Sequence, residues 1–496
     1  MIEAWYLPGR EPGRGDSDPG RESASAGWWE SRTPAGVPFR APRLSEEEAG
    51  AVAREVRAAA LHARRERSLS QLIGAVSRAA VRLGDPDEWA RNTALGLLRD
   101  ELGWTAELAA ETLSGMASIW SEAALWQILR SELRDPRVLE SFRPEPLDEA
   151  GEPDGKRASS APARPPADLR RRRRATGPPL MLQVHSANLP GVGVTAAVRG
   201  LLARSGVLCR VSRGEPGLLP LFARALAEED PLLGRSLAVT WWPAESDEPA
   251  WDLWVKRSGK VIVYGGDVAV NAVRRRIPPH TDLIVYGPKL GVGVVLADAV
   301  GDATCAAGLA RDVCAYEQRG CVSPRLILVV GDAMRFAASL SDALERETKR
   351  HPGRVTSPEE AVAIRSLRAE AEFGSYAERT SGEAGVLASR DDVSWTVIVK
   401  ASPELEADDL PRVVRVFPVS GPGDVERVLG PLEGHVQAVG YAGEEGAQEL
   451  AEAAARLGVS RVAPFGRMAW PPADWRHDGR FQLLPLLQWT DWEKLR

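Results

Sequence analysis

Four cysteines in 496 residues are too few for a disulfide framework, and none of Cys209, Cys305, Cys314 and Cys321 stands in CxxC spacing. The chain has only six histidines, none near the Cys314–Cys321 pair, so a four-ligand zinc site has no support and no metal is expected. Long apolar runs are missing as well. Nothing approaches the roughly 18–20 residues that span a bilayer, and "MIEAWYLPGREPGRGDSDPGRESASAG" lacks the apolar core of a signal peptide. These absences predict a reducing, cytoplasmic setting in which thiols stay thiols. Net positive charge is lacking too: Lys+Arg is 63 against Asp+Glu 69, a formal charge of −6. Bulk charge therefore argues against nucleic-acid or membrane-surface binding. No Walker-type GK[ST], no GxGxxG and no fixed-period repeat occurs.

What is present is a soluble-type composition, 44% hydrophobic and 27% charged, in a chain long enough for about two to four domains. Residues 1–43, rich in Gly, Pro, Ser and Arg without periodicity, read as a flexible extension. Residues 44–143 read as an N-terminal helical block. Ser45 and Glu48 form a capping box, and Asp85 with Pro86 opens a later helix. Residues 144–177 read as a polar linker ending in Arg170–Arg174. A solvated run is the favoured account of those arginines over a nucleic-acid contact, because no aromatics interleave; a funnel for a polyphosphate ligand is a third reading.

From 178 the texture changes. Apolar runs such as "LMLQVH", "VLCRVS", "SLAVTWW", "KVIVYGG", "DLIVYG" and "VGVVLAD" alternate with helical periods, the signature of βαβ units and a parallel sheet. The pattern resumes with "RLILVV", "WTVIVK", "VVRVFPV", "VQAVGYAG" and "VSRVAPFG". The prediction is two doubly wound α/β domains, 178–298 and 299–468, with a C-terminal tail at 469–496.

Chemistry-bearing residues fall at strand ends. Cys314 sits on an apolar helical face with Leu309 and Val313 and reads as core. Cys321 instead follows Gly320 in a short loop before a strand, a position open to a nucleophile or a buried thiol. Asn188 lies just past the carboxyl end of a parallel strand, where its amide suits an oxyanion or simply turns the chain. Arg210 and Ser212 end the next strand, and basic and hydroxyl groups there suit a ribose or phosphate. Gly265 and Gly266 precede a helix whose exposed N–H groups suit a diphosphate, although Asp267 as a plain cap explains the turn equally.

In this order the segments resemble the aldehyde dehydrogenase superfamily, and more closely the long-chain fatty acyl-CoA reductases associated with bacterial luminescence. The carriers are "HSANLPGVGVTAAVRGLLARSG", "VIVYGGDVAVNAVR", "EQRGCVSP" and "GRMAWPPADW", and the likeness spans about residues 44–490. The resemblance implies an aldehyde dehydrogenase-like fold and an acyl-CoA reductase. Cys321 would be the nucleophile, Asn188 the oxyanion donor, and Arg210, Ser212, Gly265 and Gly266 the cofactor contacts. Glu317 and His435 are candidates for proton handling. NADPH is expected in preference to NADH, with CoA as the leaving moiety. A homo-oligomer and an acyl-protein synthetase partner are implied by analogy. Where hydrolysing relatives carry a Glu in an "ELGG"-like segment, "DLIVYGPKLGVG" has none, which favours reduction of a surviving thioester. The alternatives are an aldehyde dehydrogenase that does not use CoA, and an inactive acyl- or partner-binding scaffold.

Overall fold

The structure is a computed structural model and describes residues 1–10, 27–144, 169–186, 189–354, 356–378, 384–403, 405 and 409–495. The N-terminal stretch expected to be a flexible extension is built into the fold over its described part. Ile2–Glu3, Trp28–Arg32 and Pro38–Pro42 form a three-stranded sheet. Ala4, Leu7, Phe39 and Ala41 have no exposed surface. Phe39 meets Trp241 edge-on with centroids 4.9 Å apart, and Tyr6 exchanges both backbone hydrogen bonds with Val239. A few buried apolar side chains anchor this segment, and a composition dominated by Gly, Pro and Ser hid them.

Five helices follow: Glu46–Glu66, Leu69–Gly84, Trp89–Leu102, Ala106–Ile119 and Glu122–Glu132. The Ser45–Glu48 capping box forms at the first, and a second box, Ser68 with Gln71, opens the next. Asp85 does not open a helix. It ends the second one, and the third starts at Trp89 without a side-chain cap. The long apolar period after Thr105 is split at Trp120–Ser121, where Ser121 caps a new helix. That bend lets the Trp120 indole donate to Thr195 Oγ1 across to the first α/β unit (3.0 Å).

The first sheet has five parallel strands in the order Asp282–Tyr286, Lys260–Tyr264, Leu180–Val184, Gly206–Arg210, Leu237–Thr240. Strand order therefore reverses between Leu180–Val184 and Lys260–Tyr264, and a crevice opens beyond their carboxyl ends. The second sheet has seven strands, ordered Gly385–Ala388, Thr396–Val399, Val413–Val419, Pro324–Val330, Leu290–Val295, Val436–Ala442, Arg461–Pro464, with only the first pair antiparallel. Leu290–Val295, expected in the first domain, is thus an inner strand of the second, paired to Pro324–Val330 and Val436–Ala442. The divide falls at 287–289 rather than at 298, because a buried run reads alike in either sheet.

The arginine run is also corrected, from linker to strand. Leu169–Thr176 pairs antiparallel along its whole length with Gln488–Leu495, and Arg143–Pro144 adds a third strand. Opposite charges and aromatics face the arginines: Arg171 binds Glu493 at 2.9 Å, and Arg172 and Arg173 lie over Trp492 and Trp489. Among the described residues no helix is long and apolar enough to cross a membrane.

Candidate active site

At the seam of the two sheets lies a cavity of about 340 Å³, within the size range of small-molecule sites. Cys321 and Val322 line it from the second unit, and Gly265, Gly266, Tyr264 and Tyr286 from the first. Met116, Ile119 and Ile128 of the helical block, with Leu189, Tyr316 and Trp470, make an apolar wall. Trp470 reaches this wall only because position 115 is glycine: a Cβ there would fall 2.0 Å from its ring. The tryptophans of the cavity are Trp470 and Trp475. Trp120, Trp241 and Trp242 are buried as packing. Neither aspartate nor glutamate occurs among the described residues that line the space.

The loop that carries Cys321 is built under strain. Helix Ala303–Cys314 runs into Tyr316, Glu317 and Gln318, three consecutive non-glycine residues at φ +53°, +55° and +59°. Such left-handed backbone persists only where its surroundings enforce it. Here Gln318 Nε2 donates to the carbonyls of Pro324 (2.7 Å) and Val413 (2.8 Å), and its Oε1 accepts from Val413 N (3.0 Å). Arg412, itself at φ +51°, donates to Glu317 Oε1 at 2.6 Å, and the two side chains are 2% and 4% exposed. Glu317 is therefore committed to a buried ion pair away from the cavity, which corrects its assignment to proton handling. Two bonds close the Gly320–Ser323 turn: Gly320 N donates to Ser323 Oγ, and Ser323 N to Gly320 O. Cys321 stands half-buried in that turn, facing the cavity. Burial, helped by the charge of Asp478, pushes its thiol up to about 12.

A residue that sequence reasoning missed lies beside the sulfur. His477 Nε2 is 3.8 Å from Cys321 Sγ. The segment that carries it, 466–484, overlaps the expected C-terminal tail at 469–496, and carboxylates grip both its ends. Asp312 accepts from the backbone N–H of Gly466, Met468 and Ala469 (2.5, 3.0 and 3.3 Å). Glu132, from the helical block, accepts from Gln482, Leu483 and Leu484 (2.7, 2.8 and 2.9 Å). The "PP" and lone His–Asp pair in "WPPADWRHDGR" were the available signal, since a buried ionisable pair in a proline-fixed turn is a site candidate. Burial first, then Arg199 and Lys289, lower the His477 imidazole to about 3, so it rests neutral.

The other predicted residues separate. Gly265 and Gly266 line the same cavity as Cys321. Arg210 does not: its guanidinium is buried, donates twice to the Trp242 carbonyl and lies between Trp242 and Trp251. Ser212 closes its own turn by accepting from Gly214 N (3.3 Å). His435 is exposed and away from the cavity lining. Asn188 lies outside the described residues. Cys314 is core, and among the described residues no three His, Cys, Asp or Glu side chains gather as a metal ion requires. A nicotinamide dinucleotide fits what is there. The crevice at the strand-order reversal opens on Gly265 (φ +153°), where a Cβ would touch only Ala269 at 3.4 Å, and on Gly266, where a Cβ would meet nothing within 4 Å. Helix Val192–Leu202 begins beside it at Gly191 (φ +73°), which offers no side-chain cap and whose own N–H donates to Glu215 Oε2 at 3.3 Å.

Two α/β sheets with a cysteine at their seam and a crevice opposite define an aldehyde dehydrogenase-like fold. Solved structures agree on the fold. An oxidoreductase from Marinobacter aquaeolei matches with a TM-score of 0.72 at 14% identity, over 99% of this chain and 98% of that one. A salicylaldehyde dehydrogenase from Pseudomonas putida G7 gives 0.70 at 14% identity, over 100% and 98%. Within that class the acyl-CoA reductase (LuxC) family model matches residues 65–489, and the chain belongs to that family. The long-chain acyl-protein thioester reductase of Aliivibrio fischeri is 24% identical over 407 residues, 80% of this chain and 77% of that protein. The protein of the same name from Vibrio harveyi is 26% identical over 314 residues, 62% and 63% of the two chains.

Proposed function

We propose that this chain reduces an acyl thioester to an aldehyde through an acyl-thioester on Cys321, with a reduced nicotinamide dinucleotide bound along the Gly265–Gly266 turn. The observation that carries this reading is one apolar cavity shared by the Cys321 thiol and the glycine turn at the crevice. Bound there, the nicotinamide supplies hydride to the acyl carbon. Cys321 Sγ forms the new thioester, and the Met116, Ile119 and Trp470 wall takes the acyl chain. Asn188, just beyond the strand Leu180–Val184, donates to the oxyanion, an interaction of a kind worth about 10²–10³ in rate. The absence of carboxylates among the described lining residues favours survival of the acyl-enzyme, because nothing acidic there activates water.

The acyl donor proposed is an acyl-CoA, whose thiolate leaves readily. The curated relatives are named acyl-protein thioester reductases, so an acylated carrier protein is the comparison to run beside it. NADPH is the proposed reductant. Arg213, exposed beyond the strand Gly206–Arg210, is the cation suited to a 2′-phosphate, now that Arg210 is turned inward.

The test is intact-protein mass spectrometry after brief exposure to a long-chain acyl-CoA without cofactor. The expected result is one acyl adduct on the wild type, none on Cys321→Ala, and discharge to aldehyde when NADPH is added. Folded wild type that takes no adduct from short, medium or long acyl-CoA, or from an acylated carrier protein, would leave an acyl-binding scaffold as the better account.

A further inference from the structure

We propose that His477 is the catalytic acid–base partner of Cys321, taking the thiol proton as the acyl–sulfur bond forms and returning it to the departing thiol. This inference rests on Cys321 being the nucleophile.

Among the described residues, His477 is the titratable side chain within hydrogen-bond reach of the sulfur. Its ring is fixed rather than free. It stacks on Tyr286 with centroids 4.8 Å apart and planes 7° apart, lies parallel to Tyr264 beyond, and has Trp475 at 5.1 Å. Asp478, at φ +55°, is seated by Gln437. In the amide orientation that satisfies its bonds, Gln437 donates to Asp478 Oδ1 (2.7 Å) and accepts from Asp478 N (3.0 Å). Both phenols are raised by burial and stay protonated.

The groups facing the imidazole are Arg199 from helix Val192–Leu202, Lys289 from the turn before strand Leu290–Val295, the Tyr264 and Tyr286 phenols, the Cys321 thiol and its neighbour Asp478. Lys289 is held by Asp478 at 3.6 Å. The two cations and burial keep the imidazole neutral at rest, and in its Nδ1–H tautomer the Nε2 lone pair faces the thiol. Burial keeps the proton on sulfur until attack begins. When the proton crosses, Asp478 Oδ1, 3.9 Å from Nε2, balances the new imidazolium.

The proton account closes. In acylation, Sγ bonds to the acyl carbon, the bond from that carbon to the leaving sulfur breaks, and the Cys321 proton passes through Nε2 to the leaving thiolate. After hydride addition, the oxyanion collapses to aldehyde, the carbon–Sγ bond breaks, and the Cys321 thiolate regains a proton from solvent through Nε2. The Cys321 thiol and neutral imidazole are thereby restored.

The test uses the full chain, its His477→Gln, His477→Ala and Cys321→Ala variants, and octanoyl-CoA without cofactor, following CoA release in the first turnover. General acid–base help of this type is worth about 10²–10⁴-fold. His477→Gln is expected to acylate slower by that factor at pH 7 and to recover as the pH is raised toward thiol ionisation. Added imidazole is expected to restore acylation to His477→Ala. A His477→Gln rate within about threefold of wild type overturns the proposal. So does an equal loss at every pH, or folded His477→Ala that imidazole does not rescue; either marks the ring as packing only. CoA release that persists in Cys321→Ala overturns the nucleophile assignment instead.

Discussion

Replacing Arg412 by methionine tests whether the strained turn ahead of Cys321 is held by charge. Arg412 and Glu317 are 2% and 4% exposed and 2.6 Å apart, and each sits at positive φ. Methionine matches much of the volume of the arginine stem but leaves the Glu317 carboxylate buried without its cation. Breaking a buried pair from one side costs about 3–5 kcal/mol, because the remaining charge is neither solvated nor paired. Left-handed non-glycine residues cost about 1–3 kcal/mol each. Tyr316, Glu317 and Gln318 are therefore expected to relax toward ordinary backbone once the clasp is gone. The stability loss is read from urea unfolding followed by tryptophan fluorescence. The consequence at the site is read from the rate of Cys321 alkylation by iodoacetamide under native conditions. Arg412→Met should lose about 3–5 kcal/mol and show altered Cys321 reactivity, whereas Glu317→Gln with Arg412→Met should recover most of the stability. A single variant losing under about 1 kcal/mol, or a double variant no better than the single, would refute the clasp.

Gly115→Ala places a methyl against the Trp470 ring, 2.0 Å from its nearest atom, and should push the indole into the cavity. Turnover of long-chain thioesters is expected to fall at least about tenfold, with short chains spared, because overpacking acts through the displaced ring; an unchanged chain-length profile would contradict the placement. Glu215 accepts from the backbone N–H groups of Gly191 and Leu218, and burial raises its carboxyl together with that of its buried neighbour Glu101. A group that binds its proton more tightly when folded contributes fully below its unfolded pKa of about 4.3, and that contribution is lost as pH rises through the folded value. Stability should therefore fall as the pH rises above about 5, and Glu215→Gln combined with Glu101→Gln should flatten that slope. Equal slopes in thermal melts of the two proteins would count against it.

Much of the fold was legible locally. The alternation of short apolar runs with helical periods gave parallel α/β units, because period-2 and period-3.6 patterning is set by which face each side chain occupies. The Ser45–Glu48 box is likewise a contact between residues three apart. The cysteine loop announced itself by Gly320 and the following strand, and Gly265–Gly266 by their place after one. Pairing over long separations left no such mark. Leu290–Val295 is as apolar as any strand of the first sheet, and only its hydrogen bonds to Pro324–Val330 and Val436–Ala442 assign it to the second. Arg210 and Glu317 have side chains suited to the chemistry expected of them. Burial against Trp242 and Arg412 turned both away from it.

By itself the sequence determined the alternation of helix and strand in the α/β core, that a thiol would sit on a short loop at a domain seam, and the family resemblance its motifs carry. The tertiary structure alone decided that Arg170–Arg174 is a strand, because its balancing partners Glu493, Trp492 and Trp489 lie more than 300 residues away. It also decided that His477 stands beside Cys321. That approach depends on carboxylates at 132 and 312 drawing in the backbone between 466 and 484. Local propensity carries no term for such contacts, since their energy appears only when the chain closes on itself.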